Sequence, residues 1–260
     1  MKKFLIGVLM SLFFISSTKA HFLVLIPEKD VIEKGKGVVN LEARFTHPME
    51  GGPNMEFSIM ESAFFIKEER NSLNWQRKSI PVTKGSTKKV SMYTGSLNLS
   101  KPGIYQVFVT SSPYFESSEG KYIQQIAKVI LSVFGIEEGW DRPLGLKVEI
   151  VPLVKPFGLW EGNTFKGRVL IEGKPAKNVE VEVEYLNTKG VKPPVDSLIT
   201  QVVKTDEMGY FEYTIPWAGW WGFSAITEKE TIKGADGKVY PLEVGGVIWV
   251  RAYPKPKEVK

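Results

Sequence analysis

The sequence contains no cysteine and only two histidines, His21 and His47, among its 260 residues. The absence of cysteine excludes disulfides, thiolate metal sites, thiol catalysis and a lipid-modified cysteine anchor. The sequence also has no nucleophile elbow, phosphate-binding loop, His-Glu-x-x-His segment or dinucleotide fingerprint. Because so few groups could transfer protons, we expect a protein that is not an enzyme.

The first twenty residues have the pattern of a secretory signal peptide. Two lysines precede an apolar run at residues 4–15, and small residues follow up to Ala20. A membrane-spanning helix needs about 20 apolar residues, so this run is too short for an anchor, and no later segment reaches that length. We therefore expect cleavage after Ala20 and a periplasmic or extracellular mature chain without a transmembrane segment.

The charge of the mature chain is close to balanced. The whole sequence has 34 basic and 29 acidic residues and a net charge of +5. Three of the basic residues, and none of the acidic ones, lie in the first twenty positions, so the remainder carries +2. This excess is too small to indicate a nucleic-acid partner, and we expect none.

Short alternating or apolar runs separated by Gly, Pro, Asn and Ser predict an all-β fold. The predicted strands are 21–26, 38–46, 56–66, 88–97, 104–111, 122–134, 146–152, 165–171, 179–186, 198–205, 210–215, 222–227 and 247–253. Their regular spacing is typical of β-sandwiches. Residues 137–143 show no strand pattern and are the expected domain boundary. After the signal peptide at 1–20, we therefore expect two β-sandwich domains, at 21–145 and 146–260.

The second predicted domain contains two turn motifs of a known kind of sandwich. A Gly-Lys-Pro turn lies at residues 173–175, and a Thr-Asp-x-x-Gly turn at residues 205–209 leads into an aromatic strand. Over residues 146–253 the pattern resembles transthyretin-like, carboxypeptidase-regulatory-like accessory modules. Such modules are usually scaffolds, so the resemblance implies a structural role for this domain.

Cleavage after Ala20 would make His21 the first residue of the mature protein. Its free α-amine and its ring nitrogen could then chelate one metal ion, and a second imidazole would complete a three-nitrogen site. Nitrogen ligands of these kinds suit Cu(II), Ni(II) and Zn(II). The alternative is that the cleavage site precedes a histidine by chance.

The second histidine, His47, ends a predicted strand whose alternate apolar residues lie on one face. His21 and His47 are equally distant along the chain from Lys34. If the first two strands form a hairpin centred there, the two histidines face each other with Cα atoms about 4.5–5.5 Å apart. The alternative is a surface histidine at a strand end, and the spacing alone favours neither.

Other residues near these histidines carry donor atoms that a metal ion could use. The secondary ligand candidates are Met49, Glu50, Met55, Glu56, Tyr114 and Glu116. Exposed glutamates are usually solvated, methionine more often fills a core, and a turn aromatic more often covers the end of a sandwich. Structural roles are therefore the commoner ones for each of them.

The mature chain as a whole resembles the exported accessory components of nickel and cobalt uptake systems of the energy-coupling-factor type, within a broader domain-of-unknown-function family. The matching stretches are HF at 21–22 leading to IP at 26–27, FTHPMEG at 45–51, PYFE at 113–116, FGIEEGWD at 134–141, LKVEIVPL at 146–153, PFGLWEGN at 156–163, AGWWGF at 218–223 and GVIWV at 246–250. Relatives often carry a further histidine near Gln125, and its absence here argues against a third imidazole.

The resemblance implies an extracytoplasmic protein that binds a divalent transition metal through His21 and His47 and passes it to a membrane permease. Ni(II) is the favoured ion, with Cu(II) or Co(II) as alternatives. A copper-binding periplasmic chaperone or resistance protein is the second reading, because such proteins also use a mature N-terminal histidine in a β-sandwich.

Two further hypotheses about the function are less favoured. A copper-dependent polysaccharide oxygenase shares the arrangement of one amine and two imidazoles, but it needs a flat aromatic face near the copper. The tryptophans Trp217, Trp220 and Trp221 fall in the other predicted domain, and packing is the commoner role for such residues. The last reading is a structural sandwich that binds no ligand.

Overall fold

The computed structural model describes residues 21–33 and 37–256, and the predicted signal peptide at 1–20 lies outside them. The described residues form strands joined by turns, with one short 3-10 helix at Asp196–Leu198. The prediction of an all-β, sandwich-type fold is confirmed. No helix in the described part of the chain is long and apolar enough to cross a membrane.

Twenty strands alternate with turns along the described residues. In chain order they are β1 Phe22–Pro27, β2 Val31–Ile32, β3 Val38–Thr46, β4 Asn54–Met55, β5 Ile59–Ile66, β6 Glu69–Asn71, β7 Trp75–Pro81, β8 Lys89–Asn98, β9 Gly103–Ser111, β10 Tyr114–Glu116, β11 Lys121–Val133, β12 Val148–Pro152, β13 Leu159–Trp160, β14 Thr164–Ile171, β15 Lys174–Pro175, β16 Glu180–Tyr185, β17 Gln201–Lys204, β18 Tyr210–Thr214, β19 Gly219–Lys233 and β20 Val239–Tyr253. The last two form a hairpin that extends well beyond the predicted strands, because the ladder continues through a bulge after Thr227.

The strands form three sheets. The first sheet has the order β1-β3-β8-β7, with β4 beside β3. The central sheet has the order β17-β16-β19-β20-β11-β9-β5-β6, with β2 and β10 beside β11 and β13 beside β20. The third sheet has the order β12-β14-β15, with β18 beside β14.

Both faces of the central sheet are covered, which gives the molecule two hydrophobic cores. Successive side chains of a strand point to opposite faces, and β11 shows the division. Ala127, Val129 and Leu131 pack in a core with the first sheet, whereas Ile126 and Ile130 pack in a core with the third sheet. Three layers result, with the central sheet shared by the two sandwiches.

The central sheet crosses the predicted domain boundary. In its middle, β20 from the C-terminal half lies parallel to β11 from the N-terminal half, from the pair Tyr122–Leu242 to the pair Val129–Trp249. The division into 21–145 and 146–260 stays a prediction, and the two halves share this sheet.

Strand β1 lies at the seam between the first and central sheets. The side chains of Phe22, Leu23 and Leu25 are fully buried. The indole N–H of Trp249 in the central sheet donates a hydrogen bond to the Leu23 carbonyl at 2.9 Å. A Cβ atom at Gly222 would lie 3.0 Å from the Phe22 ring and 2.8 Å from that of Trp249. The glycine therefore leaves the space that lets β1 approach the central sheet closely.

Candidate metal centre

Strands β1 and β3 pair in the register that the histidine spacing predicts. The antiparallel ladder joins Phe22 to Thr46, so the next pair outward is His21 with His47. The two imidazole centroids are 4.3 Å apart, and the ring planes are tilted by 44°. The predicted register is therefore confirmed, whereas metal binding by the pair stays a prediction.

The connection between these strands contains a short strand that the sequence did not predict. Strand β2 leaves the first sheet and pairs in parallel with β11, joining Val31 to Ser132. The predicted turn at Lys34 lies outside the described residues. The register does not depend on a tight turn, because a slip of one residue would move the buried side chains of β3 to its other face.

Both imidazoles are largely buried. His47 is 5% exposed, and the side chain of His21 is 13% exposed. Burial, reinforced by the neighbouring His47, lowers the pKa of His21 to about 4, although Glu116 acts in the opposite direction. The His21 ring is therefore neutral at pH 7, and neutral imidazole is the form that binds a metal ion.

Two aromatic rings line the histidine pair. Phe45 stacks on the His21 ring at a centroid distance of 5.8 Å, and Tyr114 meets that ring edge-on at 6.0 Å. The Tyr114 hydroxyl is buried, with no hydrogen-bond partner among the described residues. Burial and the negative charge of Glu116 raise the pKa of this phenol, so it is neutral near pH 7. The wall of the site is thus mainly apolar, with one free phenolic oxygen.

Glu116 places a carboxylate beside the imidazoles. Its Oε2 lies 3.9 Å from Nε2 of His21. The Ser118 hydroxyl donates to Oε1 at 2.6 Å, and this bond lowers the pKa of Glu116, with the nearby histidines contributing in the same direction. Of the secondary candidates, Glu116 is the carboxylate that the structure brings to His21.

Gln125 of β11 holds the backbone on both sides of Phe22. Its side-chain carbonyl accepts a hydrogen bond from the Leu23 N–H at 2.6 Å, and its amide nitrogen donates to the His21 carbonyl. Gln125 is 3% exposed. The sequence singled out this position only as a departure from related proteins, so its contact with β1 was not predicted.

The remaining candidates from the loop after His47 have other surroundings. Met49 is 4% exposed and packs in the core shared with the third sheet. Its backbone N–H donates to the Glu184 carboxylate at 3.0 Å. Glu50 is exposed. For Met49 the structure shows the core role that is commoner for methionine.

Glu56 and Met55 are also engaged elsewhere. The Glu56 carboxylate accepts hydrogen bonds from the Ser91 hydroxyl at 2.6 Å and from the Arg77 guanidinium at 3.0 Å. Although burial acts to raise the pKa of Glu56, these partners lower it. Met55 packs against the core beneath the first sheet.

The tryptophans considered for sugar stacking pack in or against the hydrophobic cores. Trp221 is 2% exposed and belongs to the core beside the third sheet, and Trp217 packs against it with ring centroids 5.1 Å apart. Trp220 packs partly against the core of the first sheet. The interpretation of these residues as packing groups is confirmed.

Several acidic residues lie on the face of the central sheet that is directed toward the first sheet. The Lys121 ammonium forms ion pairs with Glu119, Glu228 and Glu243. Burial and neighbouring carboxylates, Glu243 foremost, raise the pKa of Glu182 to about 8. No sequence pattern indicated this group, because its members come from β11, β16, β19, β20 and the turn before β11.

Side chains alone do not complete a metal site. Within residues 21–33 and 37–256, no three His, Asp or Glu side chains are arranged to hold one ion. A tetrahedral or square-planar ion needs about four donors, so two imidazoles require further ligands. The α-amine that cleavage before His21 would create is the nearest additional nitrogen in the covalent structure.

The described residues thus form an all-β, three-sheet protein in which a largely buried pair of histidines lies at the start of β1 and the end of β3. Residues 18–229 match the family described as Domain of unknown function (DUF4198), and the chain belongs to this family. No curated protein matches the chain.

Among solved structures, the chain is similar to the following three at low identity. The major pilin subunit BcpA of Bacillus cereus is 10% identical, over 90% of this chain and 70% of that one, with a TM-score of 0.21. The D00-D0 domain of Intimin is 12% identical, over 90% of this chain and 100% of that one, with a TM-score of 0.22. The Bacillus anthracis TIE protein is 11% identical, over 93% of this chain and 40% of that one, with a TM-score of 0.19. Similarities this weak carry no conclusion about the present chain.

Proposed function

We propose that this protein is an extracytoplasmic binding protein for a divalent transition metal, with Ni(II) favoured, that assists uptake of the ion by a membrane permease. One observation supports this most directly. The rings of His21 and His47 lie 4.3 Å apart, and His21 directly follows the predicted cleavage site. In this role the metal ion is cargo, and the protein itself catalyses no reaction.

The chemistry of the site suits a borderline metal ion. The α-amine and ring nitrogen of a terminal His21 would form one chelate, and His47 would supply a third nitrogen. Glu116, whose Oε2 is 3.9 Å from the His21 ring, offers a carboxylate nearby. Imidazole and amine ligands suit Ni(II), Cu(II) and Zn(II), and an apolar wall of Phe45 and Tyr114 limits access of water.

The choice of ion and the permease rest on the family resemblance. A nitrogen site binds Cu(II) more strongly than Ni(II) in the Irving–Williams order, so affinity alone does not select nickel. A copper-binding periplasmic chaperone is accordingly the second candidate, and it uses the same residues. Metal content of the protein purified from its export compartment distinguishes the two.

The decisive experiment compares two forms of the protein that differ at one end. One form begins at His21, and the other carries a single N-acetylated glycine ahead of it, so that it has no free α-amine. Ni(II), Co(II) and Cu(II) are titrated into each by calorimetry. We expect the first form to bind one ion and the glycine-extended form to bind it at least about tenfold more weakly, because the chelating amine is lost.

A fold control accompanies this titration. Both forms should show the same circular dichroism and the same thermal unfolding midpoint without metal, since glycine is added at the chain end. Equal isotherms for the two forms would contradict the role of the terminal amine. Failure of the form that begins at His21 to bind any of the three ions would contradict metal binding altogether.

A further inference from the structure

We infer that Gln125 is a positioning residue for the metal site and that its side-chain amide fixes the backbone of His21. This inference rests on the proposed function. Gln125 does not contact the ion in this scheme. It acts through His21, whose amine and imidazole are the groups that would bind.

The two hydrogen bonds of Gln125 replace those of a neighbouring strand. Its carbonyl accepts from the Leu23 N–H at 2.6 Å, and its amide donates to the His21 carbonyl. A strand paired with β1 would bond to the same backbone groups on either side of Phe22. One side chain from the central sheet therefore closes the otherwise free edge of β1 at its first residues.

A glycine on the adjacent strand makes this reach feasible. Gln125 lies directly beside Gly245 in the β11–β20 ladder. A Cβ atom at Gly245 would lie 3.2 Å from Cγ and 3.4 Å from Nε2 of Gln125, and 3.2 Å from the Ser224 hydroxyl. The two separations of 3.2 Å are tighter than ordinary contacts, so a side chain at this position would push the Gln125 side chain or the Ser224 hydroxyl aside by a few tenths of an ångström.

The backbone of Gln125 is itself anchored. Its N–H donates to the Ser111 hydroxyl at 3.0 Å, and the residue is 3% exposed. A buried amide held in this way restricts rotation of the His21 backbone, and with it the direction of the α-amine relative to the His47 ring. Ligands fixed before the ion arrives bind it more tightly, and removing such a supporting partner costs about 10- to 100-fold in metal affinity.

The test uses the mature protein that begins at His21, with Cu(II) as the probe. Gln125→Ala should weaken Cu(II) binding by about 10- to 100-fold. Gln124→Ala is the matched control, because Gln124 is also a buried glutamine of β11, and its amide donates instead to the Ser111 carbonyl at 3.0 Å. We expect the control to bind Cu(II) like the parent protein.

A spectroscopic measurement separates positioning from loss of stability. At saturating Cu(II), the electron paramagnetic resonance spectrum of Gln125→Ala should differ from that of the parent, whereas that of Gln124→Ala should not. Gly245→Ala should change the affinity and the spectrum in the same direction as Gln125→Ala, since its methyl group shifts the Gln125 side chain while Gln125 remains. This second variant also covers the case in which Gln125→Ala does not fold.

Each outcome decides between the two proposals. If the mature parent binds Cu(II) and both Gln125→Ala and Gly245→Ala match it in affinity and spectrum, the positioning role is wrong and the metal site stands. If Gln124→Ala weakens binding as much as Gln125→Ala, the effect is general and the positioning role is also wrong. If the parent binds no ion, both the site and the positioning role are lost.

Discussion

The ammonium of Lys128 and the carboxylate of Glu149 form an ion pair of 2.6 Å, and each side chain is only 1% exposed. Burial lowers the pKa of Lys128, and the charge of Glu149 opposes this. Glu149 also accepts hydrogen bonds from the backbone N–H groups of Leu144 and Gly145 at 2.9–3.0 Å. The pair therefore ties the segment that follows the predicted boundary to the middle of β11.

Loss of one partner of this pair should be costly. We expect Lys128→Ala to lower the free energy of unfolding by about 3–5 kcal/mol, because it leaves a buried carboxylate without its counter-ion. Denaturant unfolding measures the change. The control is Lys147→Ala, which removes the 2.5 Å pair with Glu230 where both side chains are more than one-third exposed and should cost under about 1 kcal/mol. Equal losses in the two variants would contradict this account.

Replacement of the second histidine should weaken metal binding without altering the fold. We expect His47→Ala, in the form that begins at His21, to lower the affinity for Ni(II) and Cu(II) by at least tenfold, or about 1.4 kcal/mol. Calorimetry measures the effect. Glu56→Gln is the matched control, because Ser91 and Arg77 already bind its carboxylate. Unchanged affinity in His47→Ala would remove this residue from the site.

The buried His21 ring should titrate far below the ordinary range. Its pKa in the folded protein is about 4, against 6.5 for an unperturbed imidazole. The unfolded chain therefore takes up a proton at higher pH than the folded one, and the contribution of His21 to stability is lost as the pH falls from about 6.5 to 4. Histidine ring resonances recorded against pH test this directly, and a midpoint near 6.5 for His21 would contradict it.

Metal affinity should fall on acidification for a different reason. The His21 ring is already neutral at pH 7, so the terminal α-amine, with an ordinary pKa of about 7.7–8.0, is the group that must lose a proton there. We expect the affinity of the form that begins at His21 to decrease steadily from pH 8 to pH 6. The glycine-extended form, which binds without that chelating amine, should show a shallower decrease in parallel titrations.

Glu182 should make the protein less stable at alkaline pH. Burial and nearby carboxylates raise its pKa to about 8, so the folded state holds a proton that the unfolded state releases near pH 4.5. Stability should therefore decline as the pH rises between these values. We expect the free energy of unfolding of Glu182→Gln, relative to that of the parent, to be about 4 kcal/mol higher at pH 8.5 than at pH 5, because each pH unit below the folded pKa contributes about 1.4 kcal/mol.

The control for Glu182 is its neighbour on the same strand face. Glu180 is more than half exposed and pairs with Lys204 at 3.1 Å, so Glu180→Gln should change stability little at either pH. Urea unfolding at pH 5 and pH 8.5 compares the three proteins. Parallel pH profiles for the parent and Glu182→Gln would show that Glu182 is ionised in the folded state.

Local patterns predicted most of the longer strands and one long-range relationship. Alternation of apolar residues defined β3, and the equal spacing of His21 and His47 about residue 34 predicted how β1 pairs with it. This succeeded because both strands bury one face on the same core, which fixes the register. Strand β7 was not predicted, since most of its residues are polar and exposed.

The parts of the site that come from distant strands left no local signal. Gln125 reaches β1 from β11, and Glu182 belongs to β16, and nothing in their neighbouring residues indicates which strands lie side by side. Met49 shows the opposite difficulty. It stands in a Pro- and Gly-rich loop whose next residues are exposed, yet its own side chain is buried. Tertiary packing decides such cases.

The parallel contact between β11 and β20 has a consequence for any attempt to divide the molecule. A fragment that stopped at residue 145 would leave one long edge of β11 open to water, together with Ile126 and Ile130, whose covering layer comes from the other fragment. Open edges of this kind invite aggregation. Two such pieces, produced together, should instead recombine, which would make the chain suitable for split-protein reporters in the compartment where it resides.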